Sequence, residues 1–298
     1  MNKVYIDGQS GTTGLEIVKR LQDRSDIKLL MIPEDKRKDI ETRKEYLNSA
    51  DLVFLCLPDA ASVEAVSLIT NPNVKVIDAS TAHRTQWTYG FSELGFKDKI
   101  ASSQYVANPG CHASGCISIL YPLIQKEIVK KTDSFFFFSL TGYSGGGKKM
   151  IHQYENEKTI DLEAPRIYGL NQNHKHLPEI KKVCGLENDV FLNPIVCDYY
   201  RGMAVSLNVE MDCEKIYLAL KDWYKDAKLI QVEKTDSGMI SANTMAGLDC
   251  MKLVVSGNSQ RCTITSLFDN LGKGACGAAI QNMNIMLGFK VEEGLNIE

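Results

Sequence analysis

Cys111 is the cysteine whose neighbours in the chain could make its thiol reactive. It directly follows Asn108-Pro109-Gly110 and precedes an apolar run over residues 116–120. Proline and glycine interrupt regular structure, so we expect a helix to begin near Cys111. The free amides and the dipole of a helix N-terminus stabilise a thiolate and thereby lower the pKa of a thiol placed there. The position predicts a nucleophile; the alternative is a buried structural cysteine at the start of a core helix.

The segment 174–180, His-Lys-His-Leu-Pro-Glu-Ile, could supply a proton partner for this thiol. Pro178 suits the first position of a helix, which would put Glu179 in the opening turn. In an extended segment, His174 and His176 would share one face. A carboxylate beside a histidine holds the ring and raises its pKa, as acid/base catalysis requires. Metal binding is the competing interpretation of His-x-His, but no third ligand is evident.

Two polar segments that follow predicted strands could bind anions. The segment Ser80-Thr81-Ala82-His83-Arg84 contains an arginine suited to a carboxylate or a phosphate. The segment Ser144-Gly145-Gly146-Gly147-Lys148-Lys149 offers backbone amides and lysines for a phosphate. Either segment could instead be a plain polar loop.

Three glycines at regular spacing, Gly8, Gly11 and Gly14, follow the apolar residues 4–6 and open a helical pattern. Glycine permits a tight turn and a close approach of the backbone to a pyrophosphate, and the helix N-terminus adds amide donors. The spacing alone is a weak signal that also suits a purely structural turn. Its place after the first strand of an alternating α/β pattern favours a dinucleotide site.

Charged residues after the second predicted strand bear on which dinucleotide would bind. Pro33-Glu34-Asp35 is followed by Lys36-Arg37-Lys38. Arg37 and Lys38 could meet the 2′-phosphate of NADP, whereas Glu34 or Asp35 could bind the ribose hydroxyls of NAD. We therefore expect NADP, with a solvated basic loop as the alternative.

These residues need a scaffold, and the pattern of apolar segments predicts an α/β fold with two domains. In the first part of the chain, strands rich in Val, Ile and Leu alternate with helices near 42–47 and 60–69, which predicts a parallel, doubly wound sheet. Those strands are expected at residues 4–6, 27–32, 52–57 and 74–78.

In the second part of the chain, longer strand-like segments predict a mixed or antiparallel sheet. These segments are residues 135–140, 190–196, 203–211, 238–240 and 252–256. The run 135–140 is apolar almost throughout and is expected to be buried on both faces. A helix predicted at 274–287 could pack on either domain.

The composition is that of a soluble protein of 298 residues, 44% of them hydrophobic and 24% charged, with a formal net charge of −3. This length suggests two domains. No block of like charge indicates nucleic-acid binding, and no apolar run approaches the ~18 residues of a membrane span. The N-terminus lacks a secretory signal, so a cytoplasmic location is expected. The nine cysteines contain no Cys-x-x-Cys pair, and we expect reduced thiols and no bound metal.

Taken in order, these motifs resemble N-acetyl-γ-glutamyl-phosphate reductases of arginine biosynthesis, in their shorter form. The pair Pro-Gly-Cys and His-x-His-x-Pro-Glu-Ile is specific to that family, whereas the glycine turn is shared with many others. The resemblance covers nearly the whole chain, through residues 8–14, 56–59, 78–84, 108–111, 142–148, 174–180 and 274–287.

The resemblance implies a Rossmann domain and a mixed α/β domain of the kind found in glyceraldehyde-3-phosphate and aspartate-semialdehyde dehydrogenases. The NADP-binding domain would span 1–110, completed by the C-terminal helix 274–298, and the catalytic and oligomerisation domain would span 111–273. A homo-oligomer, a dimer or a tetramer, is expected, with a small-molecule substrate.

The resemblance also implies roles for individual residues. Cys111 would be the nucleophile and His176 the acid/base with Glu179 behind it, although His174 could take that role instead. Substrate anions would be bound by Arg84, Ser144, Gly146 and Lys148. NADP would be bound by Gly8, Ser10, Gly11, Thr12, Thr13, Gly14, Arg37, Lys38, Cys56, Pro58, Ser80 and Asn282.

The implied reaction is reduction of an acyl phosphate to an aldehyde through a thioester on Cys111. Two alternatives remain at this point. An aspartate-semialdehyde dehydrogenase shares the fold, the thiol and the chemistry. A non-catalytic, dinucleotide-sensing protein could keep the Rossmann domain alone, although the combination of Cys111, His176 and Arg84 speaks against it.

Overall fold

The computed structural model describes all 298 residues, which divide into two compact units. The N-terminal unit consists of Met1–Pro109 and Ala275–Leu295, and the central unit consists of Gly110–Gly274 and Asn296–Glu298. In neither unit does a helix combine the length and the apolar character that crossing a membrane requires.

The N-terminal unit contains one sheet and five α-helices. Its strands are β1 (Asn2–Asp7), β2 (Ile27–Leu30), β3 (Leu52–Leu55), β4 (Lys75–Asp78), β5 (Thr88–Tyr89) and β6 (Tyr105–Ala107). Its helices are α1 (Thr12–Leu21), α2 (Ile40–Ser49), α3 (Asp59–Leu68), α4 (Lys97–Ser102) and the C-terminal helix (Gly277–Leu287).

The sheet of this unit is parallel throughout, in the order β2-β1-β3-β4-β6-β5. Val4 and Ile6 point into one buried cluster, which includes residues of α1 and of the C-terminal helix. Tyr5, between them, points into a second cluster with residues of α2 and α3. Helices therefore cover both faces, and the predicted doubly wound parallel sheet is confirmed.

The central unit contains a second sheet and five further helices. Its strands are β7 (Phe136–Gly142), β8 (Arg166–Ile167), β9 (Phe191–Cys197), β10 (Met203–Val209), β11 (Ile230–Lys234), β12 (Met251–Gly257) and β13 (Cys262–Phe268). Its helices are α5 (Cys111–Gln125), α6 (Gly147–Asn156), α7 (Ile160–Glu163), α8 (Leu177–Cys184) and α9 (Cys213–Trp223).

This sheet is mixed, in the order β11-β12-β13-β10-β7-β9-β8. The β11/β12 and β7/β9 pairs are parallel, and the other pairs are antiparallel. Helices α5 and α9 pack on the sheet, and α8 packs on α5. The mixed sheet predicted for this part of the chain is confirmed.

Two predictions for the central unit are wrong. Residues 135–140 were expected to be buried on both faces, but Phe136 and Phe138 are 54% and 49% exposed, because one face of β7 is open while Phe137 on the other face is buried. Residues 238–240 form no strand. Strand β13 lies between β12 and β10. The sequence did not predict this strand, because the polar Thr263 and Ser266 hide its alternation of apolar and polar residues.

Candidate active site

Cys111 is the first residue of α5, as the preceding proline and glycine predicted. The N-cap residue Gly110 has no side chain to bind the amides of the first turn, and no acidic residue lies in that turn. Seven of the nine cysteines are buried, and only Cys56 and Cys111 are partly exposed. Cys111 therefore combines access with an uncapped helix N-terminus, which favours a thiolate.

The backbone of Gly274 lies against Cys111. A Cβ atom on Gly274 would stand 3.1 Å from the Cβ of Cys111 and 3.0 Å from the carbonyl oxygen of Asp269. That carbonyl accepts a hydrogen bond from the Gly274 amide at 2.9 Å. The loop that follows β13 thus forms one wall beside the thiol, and a side chain at position 274 would crowd it.

A buried carboxylate connects the start of α5 to the predicted histidine. Oε2 of Glu179 accepts a hydrogen bond from the Gly110 amide at 3.1 Å. Oε1 of the same carboxylate lies 3.9 Å from Nε2 of His176. Glu179 is 1% exposed and His176 is 4% exposed. The structure therefore brings Cys111, His176 and Glu179 together within one unit.

The histidine segment is a turn rather than an extended strand. The Leu177 amide donates to the carbonyl of His174 at 3.0 Å, and His176 has helical backbone angles immediately before α8. The extended segment in which these residues would share one face is therefore not formed. The turn still places the rings of His174 and His176 with centroids 4.7 Å apart. Either histidine therefore remains a candidate for the acid/base.

His112 is a third histidine of this cluster, and sequence patterns did not single it out. Its ring lies 5.3 Å from that of His174 and 5.7 Å from that of His176. Nδ1 is 2.6 Å from Oγ of Ser139, and Nε2 is 2.7 Å from the hydroxyl of Tyr168. Burial, reinforced by the neighbouring His174 and Lys175, lowers the pKa of His112 to about 3. His112 is thus a neutral imidazole that donates at one nitrogen and accepts at the other.

Tyr168 joins the same network. Burial, with a further contribution from Cys111, raises the pKa of its phenol, so the hydroxyl keeps its proton at neutral pH. The only sequence signal for His112 is its place after Cys111, and none marks Tyr168, because both are defined by contacts with residues far along the chain.

The predicted glycine-rich anion segment is held by its backbone. The amides of Gly142, Tyr143 and Ser144 donate to the carbonyls of residues 202, 199 and 200. Ser144 is buried, and its Oγ accepts from Nδ2 of Asn270 at 2.9 Å. Gly146 is exposed and caps α6, whose first turn carries the exposed Lys148 and Lys149. An anion could therefore meet the α6 end of this segment, where the lysines are.

Arg201, Asp269 and Asn270 form a polar group that the sequence did not predict as functional. Nε of Arg201 pairs with Oδ2 of the fully buried Asp269 at 2.5 Å. Oδ1 of Asn270 accepts from the Gly202 amide at 2.9 Å. No motif signals these residues, since they come from two separate loops.

In the N-terminal unit, the glycine turn connects β1 to α1. Gly8 has φ of +89°, and a Cβ there would collide with the carbonyl of Cys56, while a Cβ on Gly14 would collide with the carbonyl of Gly8. The Gly11 amide donates to the Gly8 carbonyl at 2.9 Å, and α1 begins at Thr12 without a side-chain cap or an acidic first turn. A cradle closed to side chains and open at a helix N-terminus fits a pyrophosphate.

Other predicted cofactor residues surround the carboxyl ends of the strands. Cys56 follows β3 beside the turn, and burial raises the pKa of its thiol. Pro58 caps α3, and Ser80 donates to Oδ2 of Asp78 at 2.7 Å. After β2, Arg37 pairs with Glu34 at 3.2 Å and Lys38 is exposed. Ser10, Thr12 and Thr13 lie within the turn and the first residues of α1, all half-buried.

Arg84 and Asn282 are both buried, and both donate hydrogen bonds to backbone carbonyls. Nε and Nη2 of Arg84 donate to the carbonyls of Asn108 and Ala79, each at 3.1 Å. Nδ2 of Asn282 donates to the Gly90 carbonyl at 2.9 Å and to Oδ1 of Asn108 at 3.1 Å. Asn282 is fully buried. It therefore braces two loops, and its implied contact with a cofactor stays a prediction.

Comparison with known proteins places this geometry in a family. The family model described as "Semialdehyde dehydrogenase, NAD binding domain" matches residues 3–103, and "Semialdehyde dehydrogenase, dimerisation domain" matches residues 111–270. N-acetyl-gamma-glutamyl-phosphate reductase 2 of Nostoc sp. is 40% identical, with 98% of this chain and 99% of that protein covered. N-acetyl-gamma-glutamyl-phosphate reductase of Sinorhizobium medicae is 42% identical, with 96% and 98% covered. The chain belongs to the N-acetyl-gamma-glutamyl-phosphate reductase family.

Solved structures similar to this member of the N-acetyl-gamma-glutamyl-phosphate reductase family confirm its fold. Aspartate semialdehyde dehydrogenase II from Vibrio cholerae superposes with a TM-score of 0.69 at 15% identity, over 97% of this chain and 98% of that one. The Candida albicans aspartate semialdehyde dehydrogenase with NADP gives 0.67 at 13% identity, over 96% and 98%. At such identities the likeness shows the fold alone. The family predicted from the motifs is confirmed.

Proposed function

We propose that this chain reduces N-acetyl-γ-glutamyl phosphate to N-acetylglutamate semialdehyde and phosphate with NADPH, as a step of arginine biosynthesis. Relatives with this name match the chain over nearly its full length. The observation that carries the mechanism is the buried Glu179 carboxylate, which contacts both the amide that precedes Cys111 and the ring of His176.

Cys111 is the proposed nucleophile. The uncapped first turn of α5 favours its thiolate. The thiolate attacks the acyl carbonyl, the bond from carbonyl carbon to phosphate oxygen breaks, and the phosphate leaves, so that Cys111 carries the acyl group as a thioester. NADPH, when bound, supplies the hydride that reduces the thioester carbonyl.

His176 is the proposed acid/base. It protonates the oxygen of the hemithioacetal, or assists its collapse to the aldehyde and the Cys111 thiolate. Glu179, nearly completely buried 3.9 Å from Nε2, holds the ring in place. His174 is the second candidate for this role, since it is more exposed and its ring lies beside that of His176.

The residues of the N-terminal unit fit a dinucleotide. Gly8 and Gly14 leave space that a Cβ would fill, and the N-terminus of α1 is available to a pyrophosphate. Arg37 and Lys38 are proposed to bind the 2′-phosphate that distinguishes NADP. Arg84 is proposed to bind a substrate anion, as is the segment that contains Ser144, Gly146 and Lys148.

We also propose that the chain forms a homo-oligomer in the cytoplasm. Support comes from the exposed aromatic face of the central sheet, where Phe136 and Phe191 stack with ring centroids 4.5 Å apart. Exposed apolar patches of this kind mark contact surfaces. The match to a family model described as a dimerisation domain covers this sheet.

The decisive experiment measures phosphate-dependent reduction of NADP in the reverse direction with two aldehydes. We expect kcat/KM for N-acetylglutamate semialdehyde to exceed that for aspartate semialdehyde by on the order of 100-fold or more, since discrimination by several polar contacts reaches this size. Equal or better use of aspartate semialdehyde would support the rival dehydrogenase. Binding of NADP without turnover of either aldehyde would support a sensing protein.

A further inference from the structure

Arg201 lies in a connection that is fixed against the glycine-rich segment. The residues between β9 and β10 accept hydrogen bonds from the amides of Gly142, Tyr143 and Ser144 at 2.9 to 3.0 Å. Gly202 has φ of +123°, and a Cβ there would meet Asn243 Cα at 2.5 Å, so the backbone next to Arg201 depends on glycine. The Arg201 side chain therefore starts from a rigid position.

The guanidinium of Arg201 is held on one edge by Asp269. Nε lies 2.5 Å from Oδ2 of Asp269, while Oδ1 accepts from the amides of Leu271 and Gly272 at 2.7 and 3.1 Å. The Gly247 amide also donates to this carboxylate. With so many donors, Asp269 is saturated and acts as an anchor that orients the arginine.

One terminal nitrogen of the guanidinium is left for a ligand. Nη2 is buried and has no hydrogen-bond partner, whereas the side chain as a whole is 23% exposed. An unpaired buried donor costs about 1–3 kcal/mol, so such an atom calls for an acceptor supplied from outside the chain. Arginine matches the two oxygens of a carboxylate in a planar fork.

This arginine is anchored next to the reactive thiol. The backbone carbonyl of its partner Asp269 accepts the amide of Gly274, and Gly274 in turn lies against Cys111. Only Gly274 therefore separates the backbone of Asp269, the partner of Arg201, from Cys111.

Resting on the proposed function, we propose that Arg201 binds the carboxylate of the acyl substrate, the anionic group that stays on the acyl chain when phosphate leaves. Because Arg201 and Asp269 together carry no net charge, a monoanionic carboxylate suits the pair better than a phosphate dianion, which Asp269 would repel. The exposed Lys148 and Lys149 at the start of α6 are better suited to the dianion. Arg201 thereby sets specificity for acyl phosphates that carry a second, free carboxylate, and it holds the acyl chain through both half-reactions.

The test compares N-acetylglutamate semialdehyde with its uncharged α-carboxamide analogue, using NADP and phosphate. The wild type should prefer the carboxylate on the order of 100-fold. In Arg201→Gln the preference should be nearly lost, and in Arg201→Lys it should fall about tenfold or more because the fork is lost while the charge remains. The ratio of the two kcat/KM values does not depend on the fraction of enzyme that is folded. The KM of phosphate should not change.

Arg261→Gln is the matched control, since Arg261 is an exposed arginine of the same unit, in the turn between β12 and β13. It should keep the wild-type preference. An unchanged ratio in Arg201→Gln, with both substrates used equally less well, would assign Arg201 a structural role only. A raised KM of phosphate with an unchanged ratio would make Arg201 a phosphate ligand. Either result overturns the proposal.

A binding measurement separates this proposal from the proposed function. Isothermal titration calorimetry of N-acetylglutamate into the NADP-loaded protein measures the binding affinity and needs no turnover. Binding that weakens at least about tenfold in Arg201→Gln and not in Arg261→Gln supports the carboxylate site even if the aldehyde is not turned over, an outcome that would reject the proposed reaction alone. Equal binding by wild type and Arg201→Gln, or no binding by the wild type, overturns the carboxylate site.

Discussion

At the scale of single residues, burial separates one thiol from the others. Cys116 lies in the same helix as Cys111, yet it is fully buried, and desolvation raises the pKa of its thiol well above the ordinary value. Burial has the same effect on Cys184, and desolvation also raises the pKa of Cys56, although Cys56 is partly exposed. A buried neutral thiol is a poor nucleophile. Cys111 has the same side chain as these residues, but it is partly exposed at a helix N-terminus. Its surroundings therefore distinguish it.

The first residue-scale prediction concerns the acyl enzyme. Without NADPH the acyl phosphate should still acylate the thiolate, and the thioester should persist because no hydride reduces it. Intact-protein mass spectrometry should show one added acyl group, and peptide mapping should place it on Cys111. Cys111→Ser should lose the adduct and about 10³-fold or more of kcat while keeping NADPH binding. An adduct on Cys116, or full turnover of Cys111→Ser, would contradict the assignment.

His176→Asn tests the proton partner in the same experiment. Loss of general acid/base catalysis should lower kcat by about 10²- to 10⁴-fold. If His176 sets the ionisation of the thiol, acylation slows; if it protonates the aldehyde oxygen, the adduct forms at the normal rate and its reduction slows. His174→Asn is the control, and a larger loss in that variant would move the role to His174.

His112 predicts a specific dependence of stability on pH. Its pKa is lowered from 6.5 to about 3 in the folded protein, first by burial and then by His174 and Lys175. Between these values the unfolded chain binds the proton that the folded protein does not, so stability is full above pH 6.5 and falls as the pH drops toward 3. The contribution is at most about 5 kcal/mol.

The His112→Gln variant isolates this effect, because glutamine offers a donor and an acceptor but does not titrate. Urea unfolding at several pH values should show a shallower loss of stability below pH 6.5 in the variant than in the wild type. Ser139 and Tyr168, the ring's two hydrogen-bond partners, remain in both proteins. Equal slopes in the two proteins would mean that His112 is not held neutral.

At the scale of elements, the junction of β1 with α1 leaves no room for side chains. The positive φ of Gly8 is strained for any other residue, and the Cys56 carbonyl occupies the place of a Cβ. This close approach follows from the pairing of β1 with β3, which carries Cys56 to the turn. The same tightness gives the turn a backbone surface for phosphate oxygens.

The element-scale prediction compares Gly8→Ala with Gly238→Ala. Gly8→Ala should lower the free energy of unfolding by about 1–3 kcal/mol and weaken NADPH binding at least about tenfold, because the turn must open to admit the methyl group. A Cβ on Gly238 would touch nothing within 4 Å, so that variant should change stability by about 0.5 kcal/mol or less. Chemical denaturation and fluorescence titration with NADPH check both values. Wild-type NADPH affinity in Gly8→Ala would exclude the turn from the cofactor site.

At the scale of the whole molecule, the central sheet has an aromatic face that no part of the described chain covers well. Phe136, Phe138 and Phe191 are 54%, 49% and 44% exposed, although each lies on a regular strand. Burial of one such ring in a subunit contact would contribute about 1.5–3 kcal/mol to the free energy of association. A second copy of the chain is the partner proposed for this face.

Phe136→Glu should therefore shift the protein to a smaller species, because a charge placed in an apolar contact is costly to bury. Light scattering coupled to gel filtration measures the mass in solution. Met239→Glu is the control, since Met239 is 88% exposed and lies outside the strands and helices. An unchanged mass for Phe136→Glu, or the same change in both variants, would exclude this face as the subunit contact.

The sequence by itself determined the features that depend on near neighbours in the chain. Pro109 and Gly110 set the start of α5 at Cys111, and the alternation of apolar segments set the parallel sheet, because local backbone preferences and hydrophobic periodicity extend over a few residues. Residues 4–14 showed a glycine turn between a strand and a helix for the same reason.

Only the tertiary structure decided which distant groups meet. The bond from the Gly110 amide to Glu179 joins residues 69 apart, and the pairs His112–Tyr168 and Arg201–Asp269 likewise join separate elements. The exposure of Phe136 also escaped the sequence, since an apolar run reports which residues avoid water and not what covers them. Side-chain contacts of this kind depend on how strands and helices pack, which no local pattern encodes.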